Sequence, residues 1–265
     1  FRRVLFRSPG TWALAAWCDP KGRIQALFRV AALADDRFAL IAPHEIIEAN
    51  APKLRLYLLR AKATVQPQPY TVALMKFDGA SAAQHPGTGA VQAVGNGAIL
   101  GLEDGFAIRL FAPGEGREQP DTMDPAVWNL GEIDAGRPQV YAATMGEFVP
   151  QMVNLELIGG VSFTKGCYPG QEIVARTQYR GRTKRRMFAA TTRKATLPEP
   201  GTGVLDATGS RVGQVVDAAP GPNGTQLLAV LRIESSESPL RLDGCDAELQ
   251  LSTLPYSLDP PDESV

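Results

Sequence analysis

Histidine is nearly missing from this 265-residue chain, with 2 in all, and there are only 3 cysteines, Cys18, Cys167 and Cys245, far apart. With no Cys-x-x-Cys pair and so little imidazole, the chain cannot build a tetrathiolate or histidine-rich metal site by itself. An odd, widely spaced set of thiols argues against a disulfide framework and for a reducing compartment, so a cytoplasmic location is expected. There is no phosphate-binding Gly-x-x-x-x-Gly-Lys-Ser/Thr loop, no dinucleotide fingerprint and no Gly-x-Ser-x-Gly nucleophile turn. No apolar run reaches the roughly 18 residues of a membrane span. Charge of one sign is lacking too: 27 basic and 28 acidic residues leave a net −1. Nothing global therefore calls for a nucleic acid or a membrane as partner.

The composition that remains is that of a globular protein, 44% hydrophobic and 21% charged, long enough for two or three compact units. Residues 24–30 and 38–41 read as strands joined by a turn at 33–36. The apolar spacing of Ile47, Leu54 and Leu58 suits a helix over 46–60, interrupted at Pro52. Short strands are expected at 64–65, 71–75 and 106–111, and Asp124-Pro125 reads as a helix cap followed by proline at the first helical position. From Met187 the pattern changes to short strands at 188–192, 203–206, 212–218, 226–233 and 247–251. Glycine-containing turns separate them, which suggests a small antiparallel barrel. The expected division is an α+β region over 1–186, with room for two subdomains, and a β-barrel over 187–265.

The most informative stretch is Lys165-Gly166-Cys167-Tyr168-Pro169-Gly170-Gln171-Glu172. A thiol between glycines, followed by a proline and a helix-like run from Gln171, stands where a helix dipole lowers a thiol pKa below its usual value of about 8.5. The residues alone leave two readings open, a reactive thiol or a structural turn around a buried cysteine. Downstream, Arg176, Arg180, Arg182, Lys184, Arg185 and Arg186 form an acid-free basic block, which reads either as a solvated segment or as a patch for RNA.

Lys-Gly-Cys-Tyr-x-Gly-Gln-Glu resembles the signature of the YgfZ family of folate-binding proteins, relatives of the aminomethyltransferase of the glycine cleavage system. Other segments are similar to the family as well: Cys18-Asp19-Pro20-Lys21-Gly22, the run Glu147 to Glu156, Gly159 to Phe163, Tyr179-Arg180-Gly181, and Leu254-Pro255-Tyr256. Trp128, followed by Ile133-Asp134-Ala135-Gly136-Arg137-Pro138, resembles the family's folate-site tryptophan; its indole would stack on a flat pterin or aminobenzoyl ring. A core-wedged tryptophan is the other reading of the same residue. Family members carry a further N-terminal stretch ahead of the part matched by Trp12 onward, and residues 1–10 do not resemble it, so the first region is expected to be incomplete.

The resemblance implies an aminomethyltransferase-like α+β fold with a small C-terminal antiparallel β-barrel. It implies tetrahydrofolate or a derivative as cofactor, and a role in assembling or repairing iron–sulfur clusters in client enzymes, including those that thiolate tRNA, without classical turnover. The expected functional thiol is Cys167, supported by Lys165, Tyr168, Gln171 and Glu172, with Trp128 binding the folate and no metal site. Expected partners are folate and iron–sulfur client proteins, with no membrane. A folate-dependent aminomethyl or one-carbon transferase is the alternative, and a tRNA-binding module using the basic block is the third.

Overall fold

The computed structural model describes residues 9–115, 124–161, 170–180, 183–194, 197–245 and 247–258; in 176–180 it describes the backbone alone. The chain divides into two compact units, one gathering 9–15 and 26–128, the other 16–25, 129–161 and the residues from 170 onward.

The first unit holds a four-stranded antiparallel sheet, a long helix and most of a three-stranded sheet, whose residues 16–25 belong to the second unit. Strands β1 (Trp12–Cys18), β2 (Ile24–Ala32) and β3 (Phe38–Ile41) form one sheet in that order. The β2–β3 register runs from Arg29 opposite Ile41 to Ala32 opposite Phe38. It is closed by the expected turn, where Leu33 and Ala34 donate to the carbonyl of Arg37. The helix α1 spans His44–Arg55, five residues short of the expected end. Pro52 lies in its last turn, where it removes one intrahelical donor, and the chain continues past Arg55 in turns.

Four further strands, β4 (Thr71–Lys76), β5 (Val91–Val94), β6 (Gly97–Gly101) and β7 (Phe106–Phe111), make a second sheet in the order β4-β7-β6-β5. Its buried face presents Leu74, Ala98, Leu100, Ile108 and Leu110, against which Trp12 and Trp128 pack. The strand expected at 64–65 is absent, because that stretch is irregular and largely exposed.

The second unit is built on a closed six-stranded barrel. Its strands are β8 (Arg185–Thr192), β9 (Gly203–Asp206), β10 (Arg211–Gly221), β11 (Gly224–Arg232), β12 (Leu240–Leu242) and β13 (Glu248–Ser252), in the order β10-β11-β8-β13-β12-β9. Every pairing is antiparallel. Pro222-Asn223 forms the two-residue turn between β10 and β11, where Gly221 pairs with Gly224. Leu227, Ala229 and Leu231 of β11 point into the barrel core with Val204, Val212 and Leu240. Leu228 and Val230, on the other face of the same strand, are buried as well. Along this strand the period-2 rule is thus replaced by burial on both sides. Outside the barrel the unit contributes α2 (Pro125–Asp134, of which residues from Asn129 belong here), a short 3-10 turn at Pro150–Val153, and α3 (Gln171–Arg180).

Candidate functional site

Trp128 belongs to the first unit and sits early in α2. The helix begins as the sequence predicts: Pro125 is its first residue, and the Asp124 carboxylate accepts a bond of 2.8 Å from the Ala126 amide. The indole is half-buried against the sheet core. Over it lies Arg29, a cation within the apolar run Leu27-Phe28-Arg29-Val30 of β2 and only 6% exposed. The guanidinium carbon is 4.9 Å from the Trp128 ring centroid and 5.9 Å from that of Trp12. Trp12 is fixed in turn by its indole N–H, which donates to the Gly101 carbonyl at 2.8 Å. A desolvated cation–π contact of this kind is worth about 2 kcal/mol, enough to hold the Trp128 ring in a set plane. Arg29 and Trp12 were not singled out from the sequence. A lone cation in the middle of a strand buried on both faces is the signal that marks Arg29.

In the second unit the structure brings together five of the segments singled out in the sequence. The tip between β1 and β2 is an Asx turn in which the Asp19 carboxylate accepts from the amides of Lys21 and Arg23, both at 2.9 Å. Arg23 then donates to the carbonyl of Glu147 at 2.8 Å, and Ile24 N–H donates to that of Phe148, also at 2.8 Å. The cation is thus spent on backbone, while Lys21 stays exposed. Gly170, within the thiol-bearing motif, packs on this tip. Its φ is +79°, and a Cβ there would stand 2.5 Å from the Asp19 carbonyl oxygen and 2.8 Å from the Gly22 Cα. Only glycine admits both the angle and the approach.

From Gly170 the chain enters α3, where Gln171 is half-buried and Glu172 exposed. The buried Gln151 side chain donates to the Val174 carbonyl at 2.8 Å and ties this helix to the Pro150–Val153 turn. Asn154, which leaves that turn with φ +57°, donates to the Met187 carbonyl of β8 at 2.8 Å. Arg186 donates to the Gln151 carbonyl at 3.1 Å and pairs with Glu156. Burial pushes the Glu156 carboxyl above its ordinary range, and the Arg186 guanidinium opposes that shift. At the end of the chain, the Tyr256 hydroxyl donates to the Gly136 carbonyl at 2.7 Å. Gly136 has φ +62°, in the left-handed region that favours glycine, and sits against the Tyr256 ring. The matched segments around 19–23, 136, 147–156, 170–174 and 254–256 are therefore mutual packing partners.

Of the expected site residues, Trp128, Gln171 and Glu172 are placed, whereas Lys165, Cys167 and Tyr168 lie outside the described residues. The basic block is described only in its last part. Arg186 is committed to Glu156 and Lys184 is exposed, while the side chains of Arg176, Arg180 and Arg182 lie outside the described residues. Among the described residues no group of three or more His, Cys, Asp or Glu side chains converges as metal ligands, and no helix is long and apolar enough to cross a membrane.

This architecture places the chain in a known fold class. The aminomethyltransferase T of the glycine cleavage system from Bartonella henselae superimposes on 96% of the chain and 79% of its own length, with a TM-score of 0.73 at 16% identity. The fold is therefore aminomethyltransferase-like α+β with a closed antiparallel barrel. No family model matches the sequence. Individual relatives do. The tRNA-modifying protein YgfZ of Yersinia pestis (strain Pestoides F) is 31% identical over 271 residues, 92% of this chain and 81% of the relative. That of Serratia proteamaculans (strain 568) is 28% identical over 268 residues, with the same coverage of each chain. An uncharacterized protein of Haemophilus influenzae is 28% identical over 260 residues, 96% of this chain and 88% of its own. The chain belongs to the YgfZ family of tRNA-modifying proteins.

Proposed function

We propose that this protein is a cytoplasmic accessory factor that binds a reduced folate against Trp128 and supports the assembly or repair of iron–sulfur clusters in client enzymes, tRNA-thiolating enzymes among them. The observation that carries the folate reading is the half-buried indole of Trp128, held in plane by the buried Arg29, just ahead of the Ile133 to Pro138 run. The residues fit such a ligand. A large aromatic face left partly open suits a flat heteroaromatic ring. Membership of a family whose curated members are named tRNA-modifying proteins supports the link to tRNA, and the fold shared with a glycine cleavage aminomethyltransferase supports the link to folate chemistry.

Bound tetrahydrofolate would supply a carrier for a one-carbon unit. The chain's own contribution is to stack and orient the ring through Trp128 and to offer the thiol of Cys167, flanked by Lys165, Tyr168, Gln171 and Glu172. The role is accessory, with no classical turnover of the chain's own. One thiol cannot hold a cluster alone, so the cluster belongs to the client protein.

Titration of tetrahydrofolate against the wild type and Trp128→Ala by calorimetry tests the reading. Loss of a stacking anchor should weaken binding by about 1–3 kcal/mol. Equal affinity in a folded Trp128→Ala protein would remove Trp128 from the site.

A further inference from the structure

The strongest unassigned feature lies just past α1, in the first unit. Leu56, Tyr57 and Leu59 are 75%, 58% and 90% exposed within four residues. Scattered exposed apolar residues are ordinary, but three this close and this open form a patch. The backbone beneath them is strained: Leu59 has φ +41°, in the left-handed region that a leucine avoids at a cost of roughly 1–2 kcal/mol. Successive tight turns hold it there, with Leu56, Tyr57, Leu58 and Ala61 each donating to the carbonyl three residues back. Strain that holds a side chain out in solvent points to a use for that side chain.

The surroundings of the patch are cationic. Lys53 and Arg55 precede it, Arg60 and Lys62 follow it, and all four are exposed. No Asp or Glu occurs between Glu48 and Asp78. The Arg55 Nε–H donates to the Val65 carbonyl at 2.8 Å, which brings the irregular segment that follows back beside the helix end. Cations on both sides of an open aromatic ring match the requirements of a single-stranded nucleic acid: positive charge along the phosphates and a π-face for a base. A bilayer surface fits less well. Interfacial binding uses a helix with a continuous apolar face, and here α1 ends at Arg55 while the apolar side chains sit on turns.

We propose that the segment Lys53–Lys62 is a binding surface for single-stranded RNA, with Tyr57 stacking on a base and the four cations contacting phosphates. The proposal does not depend on folate binding at Trp128 or on the basic block from Arg176 to Arg186.

The test uses the 265-residue protein and a fluorescein-labelled oligouridylate, with anisotropy read at several salt concentrations. Wild type binds at low salt. Four phosphate contacts on a single strand give a slope of log K against log salt of about −3. Arg60→Gln with Lys62→Gln lowers the steepness by about 1.4, at about 0.7 per lost contact. Tyr57→Ala weakens oligouridylate binding about tenfold, within the range for loss of one stacked base, while the slope stays as in the wild type. All these side chains are exposed, so circular dichroism of both variants should match the wild type. No binding by the wild type at low salt would overturn the proposal. So would variants at 53–62 that bind like the wild type while Arg182→Gln/Lys184→Gln/Arg185→Gln abolishes the signal. Sedimentation with phosphatidylglycerol vesicles that is lost in the Tyr57 and Arg60/Lys62 variants, without RNA binding, would assign the surface to a membrane and overturn it as well.

Discussion

Gly170 and Glu172 stand two residues apart in the thiol-bearing motif, and the physics separates their roles. Gly170 combines φ +79° with a backbone approach that leaves no room for a methyl group, so Gly170→Ala incurs both a left-handed conformational cost and an overpacking cost. Together these come to about 2–5 kcal/mol, which urea denaturation should show as a lower midpoint. Glu172 is exposed in the first turn of α3. Glu172→Ala should stay within about 0.5 kcal/mol of the wild type. Any loss of folate binding or client support in Glu172→Ala would then be chemical, whereas in Gly170→Ala it would follow from the undocked helix. Residue by residue, the octapeptide was legible as a special place in the sequence, because paired glycines around a thiol have few structural uses. The Arg29 stack was not. Its partners Trp12 and Trp128 are more than a hundred residues apart, and only the sheet brings them to one cation.

At the scale of elements, β10 carries a buried carboxylate at its bulge. The register of β10 against β11 shifts between Val215 and Asp217, and Asp217 is 5% exposed. It accepts from the Tyr141 hydroxyl and from the Ala218 amide, both at 2.9 Å. Burial pushes its pKa up to about 6, opposed by those two bonds and reinforced by the Glu132 carboxylate. Glu132 is itself paired with Arg137 at 3.1 Å. The folded pKa lies above the unfolded value of about 3.9, so the native state holds this proton more tightly. The stability that Asp217 contributes is complete below pH about 4 and is lost as pH rises through about 6. Denaturation at pH 5 and pH 8 should therefore show the wild type losing on the order of 1–2 kcal/mol from this group. Asp217→Asn, which has no proton to lose, should flatten that part of the profile and be the more stable protein at pH 8. A profile unchanged by the substitution would mean that the carboxylate is ionised throughout. Five of the six barrel strands were legible, because Gly and Pro-Asn turns punctuate them at short intervals; β12, three residues long, was not expected. The helix α1 and the strands β1, β5 and β6 were less so. Pro52 shortens the apolar period of α1, and β6 opens and closes on glycine, which hides it as a strand.

For the molecule as a whole, the matched segments reflect two kinds of constraint. Gly136, Gln151, Asn154, Arg186 and Tyr256 are joined in a largely buried hydrogen-bonded set, and Asp19 holds the exposed turn between β1 and β2, so their pattern is accounted for by packing and turn geometry. Sequence reading could recognise the segments but not that they touch, because contacts between residues as far apart as Gly136 and Tyr256 leave no local periodicity. Cys167 lies outside the described residues, and its expected role rests on its place in the sequence. It stands four positions before Gln171, where α3 begins, beside Lys165 and ahead of a basic block, which favours a thiolate over a neutral thiol. Cys18 is buried and Cys245 half-exposed in a turn flanked by Asp243 and Asp246. Alkylation by iodoacetamide at neutral pH, followed by peptide mapping, should label Cys167 fastest. Cys167→Ser keeps a side chain of nearly the same size, so folding and tetrahydrofolate affinity should match the wild type, while support of an iron–sulfur client enzyme in a complementation assay should be lost. Slow labelling at Cys167 together with full complementation by Cys167→Ser would make it a turn residue like Gly170. The functional reading would then rest on Trp128 and the stack behind it.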